Sequence, residues 1–171
     1  LTEGVLEVVK LHPAPGIELA ELLAVATAAE AHSNHPAAAA LRRLAEQAGV
    51  TWSDPAEYEE VPGKGVRARS GADTLRVGRA SWLGECGLRT EGVEAPPEDG
   101  EHGGMSVVYV ASNERVLGWI GMRDKIRPAA RAALDELRQL GVRRLCLVTG
   151  DNAAAARLVA DKLGVSDVRA G

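Results

Sequence analysis

Five stretches of this 171-residue chain hold residue types at spacings that can do chemistry. Val148-Thr149-Gly150-Asp151-Asn152 ends an apolar run just before a helical one. A helix N-terminus there offers unpaired N–H groups to a phosphate. Thr149 adds a hydroxyl, and Asp151 adds a carboxylate able to act through Mg2+ or water. Asp151 and Asn152 would serve equally well as plain helix caps. The second stretch is Glu30 followed by Ser33-Asn34-His35-Pro36. At a helix entrance the dipole disfavours a charged His35, and a neutral imidazole both donates and accepts, as reading an adenine edge requires. Glu30 can accept from an exocyclic amine. The competing reading makes His35 an ordinary surface cap.

Gly63-Lys64-Gly65-Val66 lacks the Ser or Thr and the length of a phosphate-binding P-loop, so Lys64 is not a P-loop lysine. Its glycines allow the backbone close to a flat base, or else mark a bulge or turn. Gly78, closing Leu75-Arg76-Val77-Gly78 ahead of Arg79, presents the same pair of readings. Asp124-Lys125-Ile126-Arg127-Pro128 is either a solvated connector or a means of holding Asp124 and Lys125 near a transferred phosphate. His12 and His32 read as solvated surface histidines.

The elements that must position these residues fall into two groups. Residues 5–10 form a strand closed by His12-Pro13-Ala14-Pro15-Gly16. A helix over 17–31, with Leu19, Leu22, Leu23 and Ala26 at helical spacing, meets a second over 36–48 that Pro36 starts and Gly49 stops. Residues 58–78 alternate and turn at Gly71-Ala72-Asp73 as a hairpin. A short helix spans 80–85, residues 87–104 read as a mobile surface loop, and strands at 105–111 and 115–121 follow. This is an α+β pattern, an antiparallel sheet carrying a helical hairpin. From residue 121 a helix with Ala130, Leu134, Leu137 and Leu140 on one face precedes an apolar strand at 144–148 of the doubly buried kind. A helix and a strand near Asp167 then complete half of an α/β doubly wound domain. The expected division is 1–120 and 121–171.

Composition narrows the partners. The net charge is −4 with signs interspersed, which gives no field for nucleic acid or an anionic membrane. Cys86 and Cys146 make no CxxC pair, and no metal-ligand cluster is legible. No apolar run reaches the roughly 20 residues of a membrane helix. The start at Leu1 leads to the expectation of a piece of something longer. Phe is absent, so a base must be gripped by shape and hydrogen bonds more than by stacking.

Taken in order, Glu30…Ser-Asn-His-Pro, Gly-Lys-Gly-Val, Leu-Arg-Val-Gly, Asp-Lys-Ile-Arg-Pro and Val-Thr-Gly-Asp-Asn resemble the cytoplasmic region of heavy-metal (P1B) P-type ATPases. Leu1-Thr2-Glu3-Gly4 resembles the tail of that family's phosphorylation signature. The resemblance implies an ATP-binding domain over 1–120 and a partial HAD-like phosphorylation domain over 121–171. It implies that Glu30, His35, Gly63, Gly65 and Gly78 line the adenine pocket, with Val66 beside the base. Arg79 stands where the family more often has Asn, and can meet a phosphate. Asn34 stands where Glu is commoner. Thr149, Gly150 and Asp151 would meet the phosphoryl group, with Asp124 and Lys125 near the interface the nucleotide bridges. ATP and Mg2+ are the implied cofactors. ATP, ADP, the membrane helices and the actuator domain are the implied partners, and the implied location is the cytoplasmic part of an integral membrane protein. The phosphorylated aspartate and later magnesium motifs of the family are not in the chain, so binding without turnover is expected. Two alternatives are a stand-alone nucleotide-binding or interaction domain and a HAD-family phosphatase. The latter needs an aspartate nucleophile after the first strand, where this chain has Leu11-His12-Pro13-Ala14-Pro15-Gly16.

Overall fold

The computed structural model describes residues 2–97, 105–149 and 153–170. The chain forms two compact units, one from Leu6–Pro96 with Ser106–Met122, the other including the residues up to Val5 and those from Arg123 on. The first holds most of a six-stranded sheet in the order β1-β6-β5-β4-β3-β2. Its strands are β1 (Thr2–Pro13), β2 (Glu57–Val61), β3 (Gly65–Ser70), β4 (Asp73–Gly78), β5 (Ser106–Ser112) and β6 (Arg115–Ile126). The pairings from β2 through β6 are antiparallel. β1 is longer than residues 5–10, and Pro13 is tolerated because it closes an edge strand.

Helices α1 (Leu19–Ala29) and α2 (Pro36–Ala48) form the expected hairpin. Leu22, Leu23, Ala26 and Ala29 of α1 and Ala37, Leu41 and Ala45 of α2 join the core formed with Val66, Ala68, Leu75 and Val77. The many alanines let the helices lie close, and the strands alternate, with Arg67 and Arg69 exposed between buried neighbours. Leu19 begins α1 on its outer side and is exposed, contrary to its place in the apolar stripe. The hydroxyl of buried Thr27 donates to the Leu23 carbonyl at 2.8 Å, so its burial leaves no orphan.

Between α3 (Ala80–Glu85) and β5, Leu88 is buried, and the Trp119 indole N–H donates to the Glu94 carbonyl at 2.7 Å. That part of the expected loop is therefore anchored, while 98–104 lie outside the described residues. His12 is not simply solvated. Its ring stacks on Trp119 at 5.0 Å and 13°. His32 is exposed, with its ring set edge-on to Tyr58.

The second unit holds α4 (Ala130–Gln139), β7 (Cys146–Thr149), α5 (Ala153–Leu163) and β8 (Asp167–Ala170). β7 and β8 pair in parallel, as an α/β rhythm requires. Ala130, Leu134, Ala160, Leu163 and Val165 form its core. Two expectations change here. Leu140 is 81% exposed, and Val148 is 72% exposed on a strand expected to be buried on both faces. Among the described residues β7 pairs only with β8, so nothing described covers the face that bears Val148. Pro128 lies in a turn, and α4 starts two residues later.

Buried and exposed leucines should respond differently to truncation. Leu41→Ala, at a fully buried position, should cost about 2–5 kcal/mol in denaturant unfolding. Leu140→Ala should stay within about 0.5 kcal/mol of the parent.

Candidate functional site

The turn between α1 and α2 is built by its own side chains. Glu30 caps α1, and its carbonyl accepts from the Ser33 N–H at 3.0 Å. The Ser33 hydroxyl oxygen accepts from the His35 N–H at 3.1 Å. Pro36, first residue of α2, has no N–H, so Ala37 is the next donor, and it donates to His35 Nδ1 at 3.1 Å. Arg42 reaches back from α2 to donate to the carbonyls of Glu30 and Ala31, both at 3.3 Å. These bonds satisfy groups that a helix end leaves open.

Capping has a chemical consequence. Nδ1 must present a lone pair to Ala37, so the proton of the neutral ring sits on Nε2. The sequence reading of an imidazole that both donates and accepts toward a ligand is corrected to one that only donates. The capping reading and the ligand reading of His35 are compatible, because they use different nitrogens.

Opposite this turn lie the β2–β3 connection and the end of β4. Gly63 adopts φ +71, with open space where its Cβ would be, so only turn conformation argues for glycine there. Gly65 and Gly78 stand directly across from each other in the β3–β4 ladder. A Cβ on Gly65 would lie 2.2 Å from the Val77 carbonyl oxygen and 2.9 Å from the Trp82 ring. A Cβ on Gly78 would lie 2.6 Å from the same ring. The bareness of this pair is thus enforced by facing backbone, the Val77 and Lys64 carbonyl oxygens being nearest, together with the indole of nearly buried Trp82 in α3. Sequence reasoning missed Trp82; the signal was a tryptophan four residues past the second glycine.

Between these walls is a cleft of about 430 Å3. It brings together all seven residues expected to bind a base and its phosphates: Glu30, His35, Gly63, Gly65, Val66, Gly78 and Arg79. Ser33, Glu60, Lys64, Val77, Ser106 and Val108 also line it. Among the described residues, Asp124, Lys125 and Thr149 do not line it. Asp124 and Lys125 lie near the end of β6, in the second unit, where Lys125 Nζ is 3.4 Å from Glu3 Oε2. Thr149 ends β7 in the same unit, while Gly150 and Asp151 lie outside the described residues.

The most unusual group in the cleft is the Glu30 carboxylate. The residue is 7% exposed, and Oε2 is fully buried without a hydrogen-bond partner. Burial raises its pKa above the ordinary carboxylate value; the Ser33 hydroxyl and His35 oppose the rise and Glu60 adds to it. A second concavity, of about 360 Å3 over β2–β4, contrasts with this. Two of its arginines are paired within the wall, Arg67 to Glu59 and Arg69 to Glu57.

The raised Glu30 pKa sets a pH dependence. A carboxyl whose folded pKa lies above its unfolded one favours folding fully below the unfolded value, and that contribution is lost as pH rises through the folded pKa. Unfolding midpoints of the parent chain should therefore fall, relative to Glu30→Gln, as pH climbs from about 4.5 through the raised value. Parallel curves for the two proteins would remove the buried charge from the account.

With this geometry in place, comparison with known proteins is direct. The haloacid dehalogenase-like hydrolase family matches residues 1–170. The chain is 36% identical over 148 residues to the copper-exporting P-type ATPase B of Archaeoglobus fulgidus, covering 86% of this chain and 21% of that protein. It is 32% identical over 168 residues to the zinc-transporting ATPase of Bacillus subtilis, covering 98% of this chain and 26% of that one. The chain thus spans about a fifth to a quarter of the curated relatives it matches. Among solved structures, a zinc-transporting PIB-type ATPase in the E2.Pi state aligns with a TM-score of 0.76 at 31% identity, over 100% of this chain and 27% of that one. The catalytic CPx-ATPase domain CopB-B, in a structure concerned with nucleotide binding, shares the fold with a TM-score of 0.70 at 20% identity, covering 99% of this chain and 58% of that one. The chain belongs to the haloacid dehalogenase-like hydrolase family, and its relatives there are heavy-metal-transporting P-type ATPases.

Proposed function

We propose that the first unit is the ATP-binding domain of a heavy-metal P-type ATPase, and that the second is part of its phosphorylation domain. The observation that carries this reading is the buried, unpartnered Oε2 of Glu30 in a cleft otherwise walled by a histidine turn and bare backbone. An acceptor in that condition is costly until a donor reaches it. Glu30 accepts from the exocyclic amine of adenine, and His35 Nε2–H donates to a ring nitrogen of the same edge. Gly63, Gly65 and Gly78 present bare backbone to the flat base, and Val66 gives it apolar contact. The aromatic residues of the chain do not line this cleft, so shape and hydrogen bonds do the gripping.

In the parent transporter the activity is transfer of the ATP γ-phosphoryl group to an aspartate, followed by hydrolysis of the acyl-phosphate coupled to movement of a heavy-metal cation. Asp-Lys-Thr-Gly-Thr does not occur among these 171 residues, so the contribution of this chain is nucleotide binding without turnover. Among the described residues no group of three or more His, Cys, Asp or Glu side chains could hold a metal ion. Mg2+ enters this reading as the counter-ion of the nucleotide, and no step is built on it. Thr149, Gly150 and Asp151 belong to phosphoryl contact and Asp124 and Lys125 to the bridged interface. The chain works on the cytoplasmic side of the membrane, with the membrane helices and actuator domain of the parent as partners.

Calorimetric titration with ATP tests the reading, using two substitutions that separate capping from binding. His35→Asn keeps a good N-cap, so unfolding should be nearly unchanged while affinity drops about tenfold, near 1.4 kcal/mol. His35→Ala should lose the affinity and also about 1 kcal/mol of stability. Binding of ATP that neither variant alters would contradict the assignment.

A further inference from the structure

The cleft is lined by charges of both signs. Glu30 and Glu60 supply carboxylates. Lys64, from the β2–β3 connection, and Arg79, from the step between β4 and α3, supply cations. Backbone bonding ties these two together, since the Arg79 N–H donates to the Lys64 carbonyl at 3.0 Å. Their side chains differ in state. Lys64 Nζ is engaged by the Glu85 carboxylate of α3. The Arg79 guanidinium is exposed and makes no ion pair or side-chain hydrogen bond among the described residues.

An ion pair as exposed as Lys64–Glu85, with side chains 45% and 56% accessible, contributes little and is easily exchanged. A polyphosphate brings several charged oxygens, for which a planar guanidinium is a good bidentate partner. The Gly65–Gly78 pair packs against Trp82, on the same short helix that carries Glu85.

We propose that Arg79 and Lys64 form the polyphosphate end of the cleft, and that Glu85 is a built-in competitor that holds Lys64 until a nucleoside polyphosphate displaces it. This rests on the reading of the cleft as a nucleotide site and deepens it. Arg79 sets the preference for the number of phosphates, while Glu30 and His35 set the base. Glu85 lowers affinity for every phosphorylated ligand, which suits a domain that must also release its product.

The test is titration of the parent chain, Arg79→Gln, Arg79→Lys and Glu85→Gln with ATP, AMP and adenosine, with thermal unfolding to confirm that each variant folds. In the parent chain ATP should bind more tightly than adenosine. Arg79→Gln should weaken ATP about tenfold and leave adenosine unchanged, with Arg79→Lys in between. Glu85→Gln should tighten ATP by about two- to fivefold and leave adenosine unchanged. The proposal is overturned if Arg79→Gln keeps the parent ratio of ATP to adenosine affinity, or if Glu85→Gln leaves ATP binding unchanged or weaker. Adenosine binding as tightly as ATP would overturn it while leaving the nucleotide reading intact. Failure of the parent chain to bind either compound would remove both.

Discussion

A carboxylate buried with one oxygen unpartnered is an expense a fold tolerates only for a reason, of order 1–3 kcal/mol or more for a charged group. Glu30 is in that condition, and the architecture around it explains why it stays there. It closes α1, its carbonyl is held by Ser33 and Arg42, and the helix it caps is pinned to the sheet by fully buried leucine and alanines. Neutralisation and a donor from outside are the two ways to relieve it, and both lead to function: the first to the pH response, the second to a ligand with an amine.

His35 is tied into the same turn by a different rule. The helix must start at Pro36, which cannot donate, so Ala37 needs an acceptor and the imidazole provides it. Folding thereby chooses the tautomer, and Nε2–H becomes the donor that complements the Glu30 acceptor. The opposite wall obeys a third rule, that an indole packed against a glycine pair forbids side chains there. Trp82 packs behind the glycine pair and does not itself line the cleft. One short helix then carries both the indole and the carboxylate that occupies Lys64.

Much of this was legible from residue types. Pro36 and Gly49 mark the bounds of α2, and the alternation over β3 and β4 marks the hairpin, because capping and strand periodicity are local. The grouping of the seven cleft residues was expected only through the order of the motifs, since nothing local says that residue 30 meets residue 78. What escaped was non-local. His12 was read as solvated because its partner Trp119 lies over a hundred residues away. Leu140 and Val148 were read as buried because apolar spacing implies a covering surface without saying whether one is present. Why residues 65 and 78 must be glycine is equally non-local, since the space their Cβ atoms would take is filled by facing backbone and by Trp82. Asp124, Lys125 and Thr149, proposed for phosphoryl chemistry, lie in the second unit.

The central claim is that an adenine edge meets Glu30 and His35 together. Nitrogen-15 NMR of the histidine rings and backbone during titration with ATP addresses it most directly. The account predicts that His35 keeps an unprotonated Nδ1 while its Nε2–H resonance shifts, and that backbone shifts concentrate at residues 30–37, 60–66, 77–79 and 106–108. Shifts confined to other parts of the chain, with both nitrogens of the residue-35 ring undisturbed at saturation, would contradict it.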